Sequence, residues 1–142
     1  MAFDIATASN HDIDNTGMFM PFLDVAGNKI TSSDALVGVT LRSRYSTSAQ
    51  GAVRRSAIRN LTIQQRLEGK RPDPETVFDQ IEQDLLDLLA SCTVSWTFDT
   101  LDGAAFPCTP ENVRRFWGDD RFRLWREQAQ RFLASDVNFM KR

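Results

Sequence analysis

The sequence predicts an α+β protein that is mainly helical, with a small N-terminal antiparallel β element and four helices around one core. In four segments of residues 46–142, apolar residues recur every three or four positions, which is the spacing of an amphipathic helix. In residues 18–45 they alternate or flank turn residues, as in paired strands. A chain of 142 residues can form one core, so we expect a single domain over residues 18–142.

The N-terminal segment 1–17 is polar and aperiodic, and we expect it to be a flexible arm. The β element starts with a strand candidate, Met18–Asp24, which is followed by the turn residues Ala26–Lys29. The second strand candidate is Val37–Arg42, where apolar residues alternate with period two. Because Pro21 has no amide hydrogen, we expect the first strand to lie at an edge of the sheet.

The helical part, residues 46–142, begins with two long segments that have clear start signals. A helix over about Thr47–Leu67 can be capped by Ser46 or Ser48 and ended by Gly69. The next helix starts at Asp73–Glu75, where an N-cap residue precedes a proline in the first helical position. Its apolar stripe comprises Phe78, Ile81, Leu85, Leu88 and Cys92.

Two shorter helices complete the prediction. A segment with β character, Thr93–Phe98, leads through a loop to the first of them. Thr109 is a good N-cap, and Pro110 fits the first helical position because its missing N–H would have no partner there. Asp119 or Asp120 caps the last helix. Its apolar face comprises Phe122, Trp125, Ala129, Phe132 and Leu133.

The net charge of −2 conceals two segments of opposite sign. Arg42–Arg71 holds eight basic residues and one acid, whereas Asp73–Asp87 holds six acids and no base. If these segments pack as antiparallel helices their charges can pair, although an exposed pair contributes only about 0–1 kcal/mol. Four arginines of the basic helix could follow phosphates: Arg54, Arg55, Arg59 and Arg66. An isoelectric point of about 5.4, the adjacent acids and the lack of interleaved aromatics disfavour nucleic-acid binding.

The sequence contains no pattern that predicts catalysis, a cofactor or a metal. The hydrolase, P-loop, zinc-protease and dinucleotide motifs lack their starting residues. The single histidine, His11, lies in the expected arm without a sequence partner. Cys92 and Cys108 are 16 positions apart without a CxxC pattern, so we expect two reduced thiols. We therefore expect that the chain is not an enzyme.

The apolar runs are too short for a membrane span. Met18–Leu23 is among the longest, and a spanning helix needs roughly 20 apolar residues. The N-terminus has neither the basic nor the apolar stretch of a secretory signal. These patterns predict a soluble protein that stays in the cytosol.

The order of elements and several short motifs resemble one protein family. A D-x-x-G turn is found at Asp24–Gly27, and a strand leads into a basic helix through Leu41–Ser46. After the acidic helix comes a loop centred on Trp96, then the F-P-x-T-x-E-N pattern of Phe106–Asn112, and a last helix that ends in Asn138–Phe139. In this order the chain resembles the tail assembly chaperones of bacteriophages with long, non-contractile tails.

The resemblance implies a mostly helical, non-catalytic protein of the host cell cytoplasm. Such chaperones coat the tape measure protein, help to recruit tail tube subunits around it, associate with themselves and are absent from the finished tail. This role requires large apolar anchors surrounded by charges. The candidate partner-binding residues are Arg115, Trp117, Arg121, Phe122, Trp125, Arg126 and Phe139. Whether Trp117 and Trp125 are buried distinguishes a core role from an interface role.

Two other functions fit the same sequence. The first is a small helical regulator that binds nucleic acid through the basic helix. The second is a permanent structural protein of the tail or connector. A steep salt dependence of DNA or RNA binding would identify the first, and retention in purified virions would identify the second.

Overall fold

The computed structural model describes residues 2–140, of which 55% are helical and 16% lie in strands of small antiparallel sheets. The predicted α+β class is confirmed. Met1, at the start of the expected arm, and Lys141 and Arg142, at the end of the expected domain, lie outside the described residues.

A three-stranded antiparallel sheet joins the two halves of the chain. Its strand order is β1–β4–β5, where β1 is Met18–Pro21, β4 is Gly38–Leu41 and β5 is Thr93–Trp96. Pro21 ends the edge strand β1 and lies opposite Gly38. Because β5 comes from the second half of the sequence, the sheet is not confined to the N-terminal element that the alternating pattern predicts.

Two short hairpins extend from the loops. In the first, β2 at Thr31–Ser32 pairs with β3 at Ala35–Leu36. In the second, β6 at Thr100–Leu101 pairs with β7 at Ala104–Ala105. The turn of the second hairpin has positive φ at both residues 102 and 103, which suits the glycine at the second position. This hairpin lies within the segment that the sequence predicts to be a loop.

Three helices begin where the local start signals predict, whereas Asp119 caps a short 3-10 helix at Asp120–Phe122 and the last α-helix begins only at Arg123. Ser46 Oγ accepts a hydrogen bond from the Ala49 amide at 3.1 Å, and Thr109 Oγ1 accepts one from the Asn112 amide at 3.3 Å. Asp73 makes no side-chain cap bond to the helix that follows it. The helices are α1 at His11–Thr16, α2 at Thr47–Leu67, α3 at Pro74–Cys92, α4 at Pro110–Trp117 and α5 at Arg123–Ala134.

Helix α1 lies within the segment 1–17, for which the sequence predicts a flexible arm. Polar contacts with distant residues hold it against the domain. The buried Asp14 carboxylate accepts a hydrogen bond from Ser43 Oγ at 2.6 Å, and Asn10 Nδ2 donates to the Phe139 carbonyl at 2.6 Å. Contacts of this kind produce no apolar periodicity, so the sequence pattern does not reveal this helix.

The core lies between the sheet, α4, α5 and the C-terminal half of α3. Leu89 and Cys92 of α3 are fully buried, whereas in α2 the only buried residues are Ala49 and Ala52. The arrangement therefore differs from four helices around one core, because α2 reaches the core only through its first turns. The larger core side chains are Met20, Phe22, Val39, Leu41, Leu89, Phe106, Val113, Phe116, Trp117, Leu133 and Phe139.

Candidate protein-binding surface

Helices α2 and α3 form an antiparallel hairpin whose distal half extends beyond the core. Ion pairs connect Arg55 with Asp87 and Arg59 with Asp84, so residues later in α2 lie beside residues earlier in α3. Within the described stretch 53–86 no residue is buried. The hairpin is therefore stabilised mainly by contacts between its own two helices, and much of its surface is open to a partner.

One face of the hairpin contains an open apolar groove. Ile63 and Leu67 of α2 line it opposite Val77 and Ile81 of α3, and its volume is about 530 Å³. The groove is thus lined by aliphatic side chains from both helices.

Apolar side chains on the distal half of the hairpin are strongly exposed. Ile81, which lines the groove, is 60% exposed, and Phe78 and Leu61, which lie outside its lining, are 74% and 59% exposed. On α3 they continue the stripe that is buried at Leu89, so the same helical face changes from core to surface along its length. Burying one such side chain stabilises a protein by about 1.5–3 kcal/mol. Because exposed apolar patches commonly mark interaction sites, we treat the groove as the candidate site.

The seam between α2 and α3 is ionic at the end of the groove nearer the core, where Asp84 also lines the groove. Asp87 has only 4% of its side chain exposed, and it accepts hydrogen bonds from Arg55 at 3.0 and 3.1 Å. Arg59 reaches the same carboxylate at 3.5 Å, and Arg114 of α4 reaches it at 3.2 Å. Arg59 also contacts Asp84 at 2.7 Å. The antiparallel charge pairing that the opposite segments predict is confirmed here.

These contacts keep the carboxylates charged. Burial alone would raise the pKa of Asp87, but the hydrogen bond and charge of Arg55, with the charges of Arg114 and Arg59, lower it below its usual value. The pKa of Asp84 is lowered in the same way, because hydrogen bonds led by that of Arg59 outweigh the effect of burial. The two acids therefore serve as fixed anchors that join α2, α3 and α4.

Three of the predicted partner-binding residues are buried, which corrects the prediction for them. Trp117 is fully buried, and its Nε1 donates to Thr93 Oγ1 at 3.0 Å. Phe139 is 2% exposed, and Arg126 is 7% exposed with Nη1 donating to the Trp117 carbonyl at 3.2 Å. A small domain must bury most of its largest side chains. These residues hold the C-terminal helices to the core, where a partner does not reach them.

Two further predicted residues, Phe122 and Trp125, are half-buried in an aromatic stack. The Trp125 ring stacks on Phe22 with centroids 4.7 Å apart, and Phe122 stacks on Phe116 at the same separation. Trp125 Nε1 donates to the Leu23 carbonyl at 3.1 Å. Their remaining edges border a cleft of about 300 Å³. The stack is chiefly a part of the core, with a partly open rim.

The last two predicted residues, Arg115 and Arg121, are exposed. The Arg121 guanidinium contacts Asp102 at 2.7 Å and Asp119 at 2.8 Å. This contact connects the β6–β7 hairpin to the segment that precedes α5. Arg115 lies over the Phe106 ring, 5.6 Å from its centroid. Of the seven predicted residues, these two present their charged groups to solvent, and the structure does not bring them near the hairpin groove.

The groove residues were not predicted to form a site, because their spacing is that of an ordinary buried helical stripe. The length of the helix is the signal that distinguishes these exposed residues from a buried stripe. Helix α3 has 19 residues and spans about 28 Å, whereas α4, which packs against it, has 8 residues and spans about 12 Å. An apolar stripe longer than the elements that cover it leaves one end exposed.

Other kinds of site are not found in the part of the chain that the structure describes. Residues 2–140 contain no group of three or more side chains that could hold a metal ion. No helix in this range has both the length and the apolar character needed to cross a bilayer. His11 is exposed and its ring lies near the Asn15 amide. Comparisons with models of protein families, with curated proteins and with solved structures find no match for this chain.

Proposed function

We propose that the chain is a non-catalytic assembly chaperone of long, non-contractile phage tails. It binds the tape measure protein in the host cell cytoplasm, associates with further copies of itself and helps to recruit tail tube subunits, without a cofactor. The observation that carries this proposal is the uncovered apolar groove on the α2–α3 hairpin. A protein that shields the apolar surface of another chain needs such a surface before its partner arrives.

The size of the groove suits a temporary complex. It offers two parallel walls to a third helix, which is the helix-in-groove mode of recognition. The exposed part of α2 and α3 is short, so one groove buries less surface than a permanent interface does. A chaperone that leaves the finished tail needs a small interface of this kind, because each contact with the tape measure protein must later be replaced by a tail tube contact.

Nucleic-acid binding receives less support from the same surface. Arg55 and Arg59 are engaged by Asp84 and Asp87, so their charges are partly neutralised within the hairpin. A phosphate would have to compete with these carboxylates. We therefore expect a flat gel-shift titration with DNA and with RNA at low salt.

The proposal is tested by co-expression with the tape measure protein of the same phage. We expect the soluble fraction of that protein to rise several-fold and the two chains to elute together in size-exclusion chromatography. A tape measure protein that is equally insoluble with and without the chain would refute the proposal. Mass spectrometry of purified virions supplies the second criterion, since a chaperone is absent from them and a permanent tail component is present.

A further inference from the structure

We infer that a pocket between strand β5 and helices α3 and α4 binds a phosphate monoester, a small organic molecule with one dianionic phosphate group. The pocket shares no lining residue with the hairpin groove. This second site is therefore independent of the proposed chaperone function. Its charge, the unused donors of its arginines and its apolar wall all favour this class of ligand.

The pocket lies where the chain passes from α3 into β5, beside the start of α4. Its volume is about 370 Å³, which is within the range of small-molecule sites. Among the described residues that line it, Arg42 and Arg114 are the only charged ones, and none is acidic. Ser91 and Thr109 add hydroxyl groups to the lining. The lining is thus suited to an anion.

The surroundings of the pocket carry an excess of positive charge. Three arginines converge on Asp87, and one of them also pairs with Asp84. Arg42 takes part in no ion pair among residues 2–140. Four guanidinium groups therefore meet two carboxylates, so two positive charges have no counter-charge. Within the same residues, Glu111 neither lines the pocket nor pairs with these arginines. A ligand with two negative charges would neutralise this excess.

The two lining arginines are held in place but keep unused donors. Arg42 donates through Nε to the Asn15 carbonyl at 3.1 Å and through Nη1 to the Ser91 carbonyl at 3.3 Å. Arg114 donates through Nη2 to Asp87 at 3.2 Å. Because a guanidinium has five N–H groups, each of the two arginines retains several for a further acceptor. Guanidinium groups bind phosphate oxygens in pairs, and arginines that are already positioned lose little further freedom when they do so.

Much of the remaining lining is apolar. Val94 of β5 and Pro110 and Val113 of α4 contribute to this wall. The wall would contact the organic part of the ligand, so an organic phosphate fits better than inorganic phosphate. A phosphate monoester carries about −1.5 to −2 charges at pH 7. A carboxylate and the phosphodiester of a nucleic acid carry one each, so the charge excess favours the monoester over both.

The test uses the full chain and three small probes: phenyl phosphate, benzoate and inorganic phosphate. Cys108 lines the pocket and serves as the reporter, because a bound probe should shield its thiol from iodoacetamide. Cys92 is fully buried, so alkylation of the folded protein, followed by intact-mass spectrometry, reports on Cys108. The dependence of the alkylation rate on probe concentration gives the Kd.

We expect phenyl phosphate to slow the alkylation of Cys108. It should bind about tenfold more tightly than benzoate, which has the same ring but a single charge, and about fivefold more tightly than inorganic phosphate, which has no apolar part. An alkylation rate that no probe changes would overturn the inference. Equal Kd values for phenyl phosphate and benzoate would contradict the selection of a dianion.

Variants locate the site. Arg114→Gln should weaken phenyl phosphate binding about fivefold or more, and Asp87 keeps Arg55 and Arg59 as partners in this variant. Arg54→Gln is the matched control, because Arg54 is exposed, lies outside the pocket lining and takes part in no ion pair among the described residues. Its Kd should change less than about twofold. Equal weakening by both variants would indicate general charge attraction, against a site in the pocket.

The apolar wall has a test of its own. Val94 is 38% exposed, so Val94→Ser should fold normally, as checked by circular dichroism. We expect it to weaken phenyl phosphate about threefold and to leave inorganic phosphate unchanged. Unchanged binding of both probes would refute the wall contact and with it the organic ligand. Because the pocket and the groove are separate, the solubility of the tape measure protein tests the proposed function alone.

Discussion

Removing the charge of Asp87 should loosen the joint between α2, α3 and α4. In Asp87→Asn, three arginines lose a charged acceptor: Arg55 at 3.0 Å, Arg114 at 3.2 Å and Arg59 at 3.5 Å. Breaking a fully buried pair costs about 3–5 kcal/mol. That value is too large here, because the arginine side chains are 37–58% exposed and regain water as a partner. Three partly exposed pairs, each contributing up to about 1 kcal/mol, give about 2 kcal/mol in the free energy of unfolding.

Urea unfolding at pH 7 measures this loss, and a change of about 2 kcal/mol corresponds to a fall of roughly 5–8 °C in Tm. Asp79→Asn is the matched control, because Asp79 is an exposed acid on the same helix. Its expected change is below about 0.5 kcal/mol. Equal stability of the two variants would refute the structural role of Asp87.

The pH dependence of the stability provides an independent check on the role of the Asp87 charge. The pKa of Asp87 is lowered in the folded state, so its stabilisation is complete above the unfolded pKa of about 3.9. It is lost as the pH falls through the lowered folded pKa. The stability difference between the wild type and Asp87→Asn should therefore shrink as the pH falls below about 4. A difference that stays constant down to pH 2.5 would contradict the role of the charge.

Three further predictions concern the core and the backbone. Gly38→Ala should lower the free energy of unfolding by about 2 kcal/mol, because the new methyl group would contact the β1 backbone, whereas Gly51→Ala should raise it by about 0.5–1 kcal/mol within α2. Burial raises the pKa of the Cys92 thiol to about 12, so Ellman's reagent should modify Cys108 first and Cys92 only on unfolding. Trp117→Phe should lower the free energy of unfolding by about 2 kcal/mol, measured in urea, because it removes the buried hydrogen bond to Thr93 and part of a core side chain.

Helix starts could be predicted from the sequence because they depend on neighbouring residues. Ser46, Pro74 and Thr109 act on the turn that follows each of them, and α2, α3 and α4 begin accordingly. Helix α1 could not be predicted, because it is held by contacts between residues distant in sequence. Asp14, for example, pairs with Ser43, 29 positions away.

The candidate site was harder to predict than the helices. The spacing of Phe78 and Ile81 indicates an apolar face, but it does not say whether another element covers that face. Coverage depends on the relative lengths and positions of α3 and α4 in three dimensions. For the same reason the sequence could not distinguish the buried Trp117 from an exposed anchor, although both fit the same amphipathic pattern.

The ionic seam has a consequence for the cost of association. The arginine contacts to Asp84 and Asp87 fix the axial register of α2 against α3 at the base of the hairpin, before any partner is present. At the base of the hairpin, binding a partner therefore costs this chain no further backbone entropy, because the two helices are already fixed against each other there. The main ordering cost falls on the incoming helix and on the side chains at the tip, where no ion pair joins the helices among the described residues. A binding surface prepared in this way can associate and release repeatedly without refolding.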